Sequence, residues 1–303
     1  MIGDVSGHLE TLREELRRLG ANADGRLPDD LVVVQVGDLV HRGPDSDQIV
    51  ELVDDYLSDQ PDNWIQLMGN HEALYLGTTT FRWPQRLSPR SARTVRRWFY
   101  TGAMIGAVAI HGTDESFLVT HAGLTGRFWH DVLGGPADVG AAADRLATLA
   151  THKPAVYARP GHLLGGNRLN LGAGPLWAAA SSELLPSWRG IELPFSQVHG
   201  HGSPIDWSCN DLSTRSPAHH PVLIDPVAKH TSVELPGGRI IGVDPDHGRL
   251  HPRQRWQAWL APDPITAPDP ITAPGQIPAP GQIPAPGQIP APGQIPAPAR
   301  FTI

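Results

Sequence analysis

The stretch Leu31-Val32-Val33-Val34-Gln35-Val36-Gly37-Asp38-Leu39-Val40-His41-Arg42-Gly43 decides the reading of this chain. Residues 31–36 are an apolar, β-branched run between Asp30 and Gly37, the pattern of a strand buried on both faces. A carboxylate, an imidazole and a guanidinium follow within six residues of its end. Four further strings share this form: Gly3-Asp4-Val5-Ser6-Gly7-His8, Gly69-Asn70-His71-Glu72, His121-Ala122-Gly123-Leu124 and His199-Gly200-His201. Apolar strands are expected before the later ones, at Trp64–Met68, Phe117–Thr120 and Phe195–Val198. Ligand groups in open α/β sheets collect at the carboxyl ends of strands, so five distant motifs can converge on one site.

Leu9, Leu12, Leu16 and Leu19 fall on one helical face, and Ile49, Leu52, Val53, Tyr56 and Leu57 mark a second amphipathic helix. Strands alternating with helices argue an α/β layered fold. Pro221–Ile224, Thr231–Leu235 and Arg239–Val243 are expected strands, the last two joined as a hairpin by Pro236-Gly237-Gly238. The strand that should deliver Asp4 has only Met1 and Ile2 before Gly3, so it is stunted or the true start lies upstream.

Composition sets limits. The 303 residues carry a net charge of -7, which implies no general attraction to nucleic acid or anionic membrane. The one cysteine, Cys209, excludes an internal disulfide and suits a reducing cytoplasm. The opening residues lack the n- and h-regions of a signal peptide, and no apolar run approaches membrane-spanning length. Lysine occurs only at Lys153 and Lys229 while arginine is abundant, a bias that points to a GC-rich bacterial genome. From Pro262 onward Pro-Asp-Pro-Ile-Thr-Ala occurs twice and Pro-Gly-Gln-Ile-Pro-Ala four times. Such repeats cannot bury a core, so residues 1–260 are expected to form one domain and 261–303 a disordered or semi-rigid tail. The tail is a bland repeat expansion or a ligand for a proline-recognising partner.

In order and wording the five strings resemble the metallophosphoesterase (calcineurin-like) superfamily, and within it the phosphoprotein-phosphatase and diadenosine polyphosphate hydrolase branch. The resemblance runs from residue 3 to about 245 and implies a four-layer αββα sandwich. It implies two divalent metal ions, Mn foremost, with Fe, Zn or Mg as alternatives, and hydrolysis of phosphate esters by metal-activated water. Asp38 would bridge the ions, with Asn70, His121 and His201 completing one site and Asp4 belonging to the other. His71 would be the general acid, and Arg42 would bind phosphate oxygens through its planar fork.

Two positions depart from the family pattern. Ser6 stands where a histidine ligand is expected, so the Asp4/Asp38 site should be oxygen-rich and weak. His41 stands where an aspartate would raise the pKa of His71 and fix its tautomer, so leaving-group protonation should be weakened, the pH optimum acid-shifted and activated esters favoured. His8 is expected to be a helix-start residue rather than a replacement ligand, and His199 at most to support the ligands. Leu176-Trp177-Ala178-Ala179 resembles a family segment that often continues into an arginine, for which Arg189 is a substitute. Six arginines between Arg82 and Arg97 form a solvated face or a guide for polyphosphate or phosphopeptide; Pro84 and Pro89 leave only Ser91 onward helical.

The expected substrates are phosphoserine or phosphothreonine proteins or nucleoside polyphosphates. The rival reading is a degenerate, single-metal protein that binds a phosphate ligand with little turnover.

Overall fold

The computed structural model describes residues 1–77, 81–166, 168–212, 221–247 and 255–261. The repeats from Pro262 onward lie outside the described residues.

The decisive run becomes a short parallel strand, β1 (Val33–Gln35), paired with β2 (Trp64–Leu67). A third strand, β3 (Met104–Ile105), pairs parallel to β2. The second sheet holds β4 (Ala107–His111), β5 (Ser116–Thr120), β6 (Ser196–His199), β9 (Val222–Asp225), β10 (His230–Leu235) and β11 (Gly238–Gly242), in the order β4-β5-β6-β11-β10-β9. A two-stranded ribbon, β7 (Ile205–Asp206) with β8 (Asp211–Leu212), stands apart. The expected hairpin forms between β10 and β11.

Alternation along the strands sets the layering. Val34, Val36 and Leu67 of the first sheet pack with Val108, Phe117, Val119, Val198 and Ile241 of the second, so the two sheets lie face to face. Val33, Trp64 and Met104 point the other way, into a core shared with helices α1 (Leu9–Arg18), α2 (Ser46–Asp59) and α4 (Pro89–Thr101). Across the molecule, α6 (Val139–His152) covers β4 and β5, reached through a short α5 (Gly126–Asp131). Helix, sheet, sheet, helix is the four-layer order expected.

One local expectation needs correction. Helix α4 starts at Pro89 rather than Ser91: Ser88 caps it by accepting the Ser91 N–H at 3.2 Å, and proline is favoured at the first helical position, where its missing N–H costs nothing. The strand before Asp4 is stunted, one of the two expectations for it: Ile2 forms a single parallel bridge to Gln35. Gln35, a polar interruption in an apolar run, compensates: its amide donates to Gly3 O (3.1 Å) and Gly37 O (2.7 Å), tying the first two motifs together.

Strands β1 and β2 run parallel, as do β5, β6 and β11. Their carboxyl ends therefore deliver Asp38, Asn70 (in the one-turn α3, Asn70–Ala73), His121 and His201 to one place. Among the described residues no helix is long and apolar enough to cross a membrane.

Candidate active site

The loop after β1 is unusual backbone. Asp38, His41 and Arg42 all have positive φ (55°, 73° and 66°), as do Ser6 (50°) and His201 (63°). L-residues enter this region at a cost of roughly 1–2 kcal/mol each and persist there only when their surroundings dictate it. Glu72 supplies much of that dictation. Its carboxylate, fully buried, accepts from the N–H groups of Asp38 (2.8 Å), Leu39 (3.0 Å), Val40 (3.3 Å) and Gly69 (3.0 Å). Burial and the Asp38 charge push its pKa up to about 8, against N–H donors that favour the anion. A Cβ on Gly69 would lie 2.2 Å from Asp38 N, so only glycine lets the two motif loops approach this closely.

Asp38, His121 and His201 offer ligand atoms within 4.8 Å of one another. Asn70 Oδ1 sits 2.9 Å from both His121 Nε2 and His201 Nδ1, and those two nitrogens are 3.2 Å apart. His121 donates through Nδ1 to Val36 O at 3.0 Å, so its Nε2 carries a lone pair. Burial lowers the pKa of His121 and pushes that of His201 well down, keeping both rings neutral. The lone pair of His121 thus faces the oxygen of Asn70 with no proton between them. His201 Nε2, on the far side of its ring, is buried without a hydrogen-bond partner. Asp38 is held down at about 2: burial opposes its anion, but the charge that His121, His71 and His201 carry when protonated, with the His71 N–H (3.0 Å), outweighs burial. An anionic carboxylate among converging neutral lone pairs fits a divalent cation of borderline softness.

The Asp4 side is different. Asp4 accepts the His201 N–H at 3.0 Å, and a Cβ on Gly200 would lie 2.3 Å from its Oδ1. Ser6 is buried and binds the Asp38 loop through backbone alone, Ser6 N to Asp38 O at 2.9 Å and Gly43 N to Ser6 O at 2.8 Å. A third buried carboxylate, Asp244, follows β11. Burial, then Asp244 and Asp38, push the pKa of Asp4 well up; burial and Asp246 push Asp244 up to about 7. Asp244 was missed in the sequence, although Val243-Asp244 repeats the pattern of an acid just beyond an apolar strand.

His41 and His71 meet nitrogen to nitrogen, Nδ1 to Nδ1, at 2.7 Å. His41 Nε2 lies 2.6 Å from Tyr75 Oη, which accepts the Leu87 N–H at 2.8 Å and so has its own proton left to donate. That fixes the tautomers: Tyr75 donates to His41 Nε2, His41 Nδ1–H donates to His71 Nδ1, and the Nε2–H of His71 points toward Asp38, whose Oδ2 is 3.9 Å away. Burial and His71 lower His41 to about 4, so it is neutral, and burial lowers His71 as well. A neutral histidine in place of aspartate therefore orients His71 without charging it.

Arg42 is exposed beside this cluster, its guanidinium carbon 5.7 Å from the centre of the Trp83 ring. Its charge acts on Asp4, His71, His121, His201 and Asp244. The Gln85 side chain holds the Arg42 backbone on both sides, accepting its N–H and donating to its carbonyl at 3.3 Å.

Three residues named from sequence stand outside the cluster. His199 is buried with Nδ1 bonded to Gly200 O at 2.8 Å, its ring against Gly242. His8 is the N-cap residue of α1 and meets the His247 ring at a tilt of 36°, centroids 4.8 Å apart. Arg189 is exposed and joins the cluster through none of these contacts. Of the six arginines, Arg86 bonds the Trp83 and Gln85 carbonyls, Arg96 the Tyr75 carbonyl, and Arg97 pairs with Asp54.

Among known proteins, the zinc-dependent endopolyphosphatase of Saccharomyces cerevisiae is 32% identical over 89 residues, which are 28% of this chain and 25% of the yeast protein. The chain thus aligns with a quarter of that relative. Among solved structures, a cold-active protein tyrosine phosphatase matches with a TM-score of 0.47 and 18% identity, over 81% of this chain and 68% of its own. Another, the cold-active protein-tyrosine phosphatase of a psychrophilic Shewanella species, matches with a TM-score of 0.45 and 18% identity, over 81% and 70%. The model of the calcineurin-like phosphoesterases matches residues 1–171, more than half of the 303, and the chain belongs to that family.

Proposed function

We propose that this chain is a metal-dependent phosphoesterase whose active site is the cluster of Asp4, Asp38, Asn70, His71, His121 and His201, with Arg42 as the phosphate clamp. The observation that carries the reading is the meeting of His121 Nε2, Asn70 Oδ1 and His201 Nδ1 within 3.2 Å beside the Asp38 carboxylate. These groups would hold a divalent ion, manganese foremost. Asp4 and Asp38, with Asp244 close by, would hold a second and weaker one. Such ions acidify water and neutralise phosphate charge.

The chain's own groups account for the rest. Arg42 presents its fork to two non-bridging oxygens of the phosphate. The Nε2–H of His71, its direction set through His41 and Tyr75, donates to the leaving oxygen. Because His41 brings no negative charge, less of His71 is held in its protonated form than the family pattern would hold, and leaving groups that need little protonation are favoured. The catalytic domain is residues 1–260, acting in the cytoplasm, with 261–303 a separate tail.

Hydrolysis of para-nitrophenyl phosphate with added Mn²⁺, comparing the chain with Asp38→Asn from pH 5 to 9, tests this. Turnover lost in the variant supports the enzyme. No turnover with one bound ion supports the rival, a phosphate-binding protein, which the presence of Ser6 favours.

A further inference from the structure

Aromatic rings line the side of the cluster where His71 stands. Trp83 meets His71 edge to face, centroids 4.6 Å apart at 78°. Phe81 meets His71 at 5.6 Å and 73°. Phe81 also meets Trp177 at 5.0 Å, and Trp177 meets His201 at 5.8 Å, so a chain of rings runs from His71 to His201. Trp177 is buried; Phe81 and Trp83 keep part of their surface exposed.

This wall has a direction. Arg42 lies against Trp83, so phosphate held by Arg42 has the indole at its border. The leaving oxygen must face His71, and what is attached to that oxygen must then pass Phe81 and Trp83. A polyphosphate leaving group would need cations there. Of this segment's arginines, Arg86 is held on its own loop's carbonyls, Arg96 on Tyr75 O and Arg97 on Asp54, which leaves the exposed Arg82 between the two rings as the cation at hand. Phe81 and Trp83 instead offer π faces and edges, which select another ring.

We propose that Phe81 and Trp83 form a subsite for the ring of an aryl phosphate monoester, with the ring bonded directly to the leaving oxygen. The inference rests on the phosphoesterase reading and narrows its substrate class. In the reaction, water oxygen bonds to phosphorus and the bond from phosphorus to the aryl oxygen breaks, its electron pair staying on that oxygen. One proton of the water ends on the phenol, the other on phosphate. A phenolic oxygen, with a pKa of about 10 as in tyrosine, leaves with little help from an acid.

Binding of ligands that cannot be cleaved separates ring recognition from reactivity. The probes are benzylphosphonate, butylphosphonate and inorganic phosphate, titrated calorimetrically into the Mn²⁺-loaded full chain. Benzylphosphonate should bind about tenfold tighter than butylphosphonate. That ratio should fall to about two in Trp83→Ala and survive in Trp83→Phe. Because Trp83 also touches Arg42, the ratio is the readout, not either affinity. Equal binding of the two phosphonates with phosphate still bound overturns the aryl subsite and leaves the phosphoesterase reading standing. So does a ratio unchanged in both Trp83→Ala and Phe81→Leu. If phosphate itself fails to bind the metal-loaded protein, the phosphoesterase reading falls and the subsite with it.

Discussion

His41 Nδ1 lies 2.7 Å from His71 Nδ1, so two neutral imidazoles share one proton where the family pattern places a carboxylate beside the histidine. The hydroxyl of Tyr75, 2.6 Å from His41 Nε2, settles which ring owns that proton. Tyr75→Phe removes the constraint and lets His41 invert its tautomer. We expect kcat to fall about three- to tenfold with KM little changed, and ¹⁵N NMR to show His71 as a mixture of tautomers. A kcat within error of wild type would show that Tyr75 does not set the direction of His71.

His41→Asp supplies the missing charge. A carboxylate beside an imidazolium raises its pKa by about 1–3 units. Burial now holds His71 below its ordinary value, so the alkaline limb of the rate profile should move upward in the variant. Hydrolysis of alkyl esters should gain more than that of aryl esters, since alkoxides need the proton more. An unmoved limb on an alkyl ester would contradict the assignment of His71 as acid.

Metal stoichiometry separates the two halves of the site. Asn70, His121 and His201 meet around Asp38, whereas the side chains that would join Asp4 are the carboxylates of Asp38 and Asp244 and the hydroxyl of Ser6. Elemental analysis after desalting should find about one tightly held ion. His201→Ala should lose it together with at least about a hundredfold in rate, and Ser6→His should retain a second ion. Asp244→Asn should weaken only the second. Two tight ions in the wild type would show that Asp244 and Asp4 suffice without the imidazole.

Glu72→Gln tests the clamp on the loop after β1. An amide offers one acceptor oxygen, and its NH₂ would face N–H groups that now donate to the carboxylate. Leaving buried N–H groups unpaired costs about 1–3 kcal/mol each. We expect a loss of about 2–4 kcal/mol in urea unfolding, with activity falling further than stability explains as Asp38 and Arg42 relax from their positive φ. A loss under 1 kcal/mol would mean the loop is held elsewhere.

Acid should destabilise the fold through histidines remote from the cluster. Burial lowers His230 to about 4, while its Nε2–H donates to Gln257 O at 2.7 Å; burial, then His8 and Arg42, lower His247 to about 3. The chain terminus, Asp225 and Glu15 also face His230. In the unfolded chain each histidine titrates near 6.5, so below that pH the unfolded state binds the proton first. Stability is therefore full above about 6.5 and falls as pH drops toward 4, by roughly 2–4 kcal/mol for His230. His230→Gln should flatten this slope in unfolding measured from pH 7 to 4.

The strands, the two amphipathic helices, the hairpin and the ordered ligand set were legible because each depends on local pattern: an apolar β-branched run, a helical repeat, a polar residue just past a strand. Parallel strands then bring their carboxyl ends together. What side chains do to one another across the fold was not legible. Tyr75 lies 34 residues from His41, and Asp244 lies 240 from Asp4, so no sequence window contains either pair. Glu72 was visible within its motif, yet its hold on three N–H groups over thirty residues away arises only when the two loops pack. Likewise, Phe81, Trp83 and Trp177 are ordinary apolar residues along the chain, and become a wall only around His71 and His201. The sequence by itself determined which groups reach the site, because strand ends follow from local periodicity. Tertiary structure alone decided their tautomers, their charges and their neighbours, because burial and contact between distant segments control those.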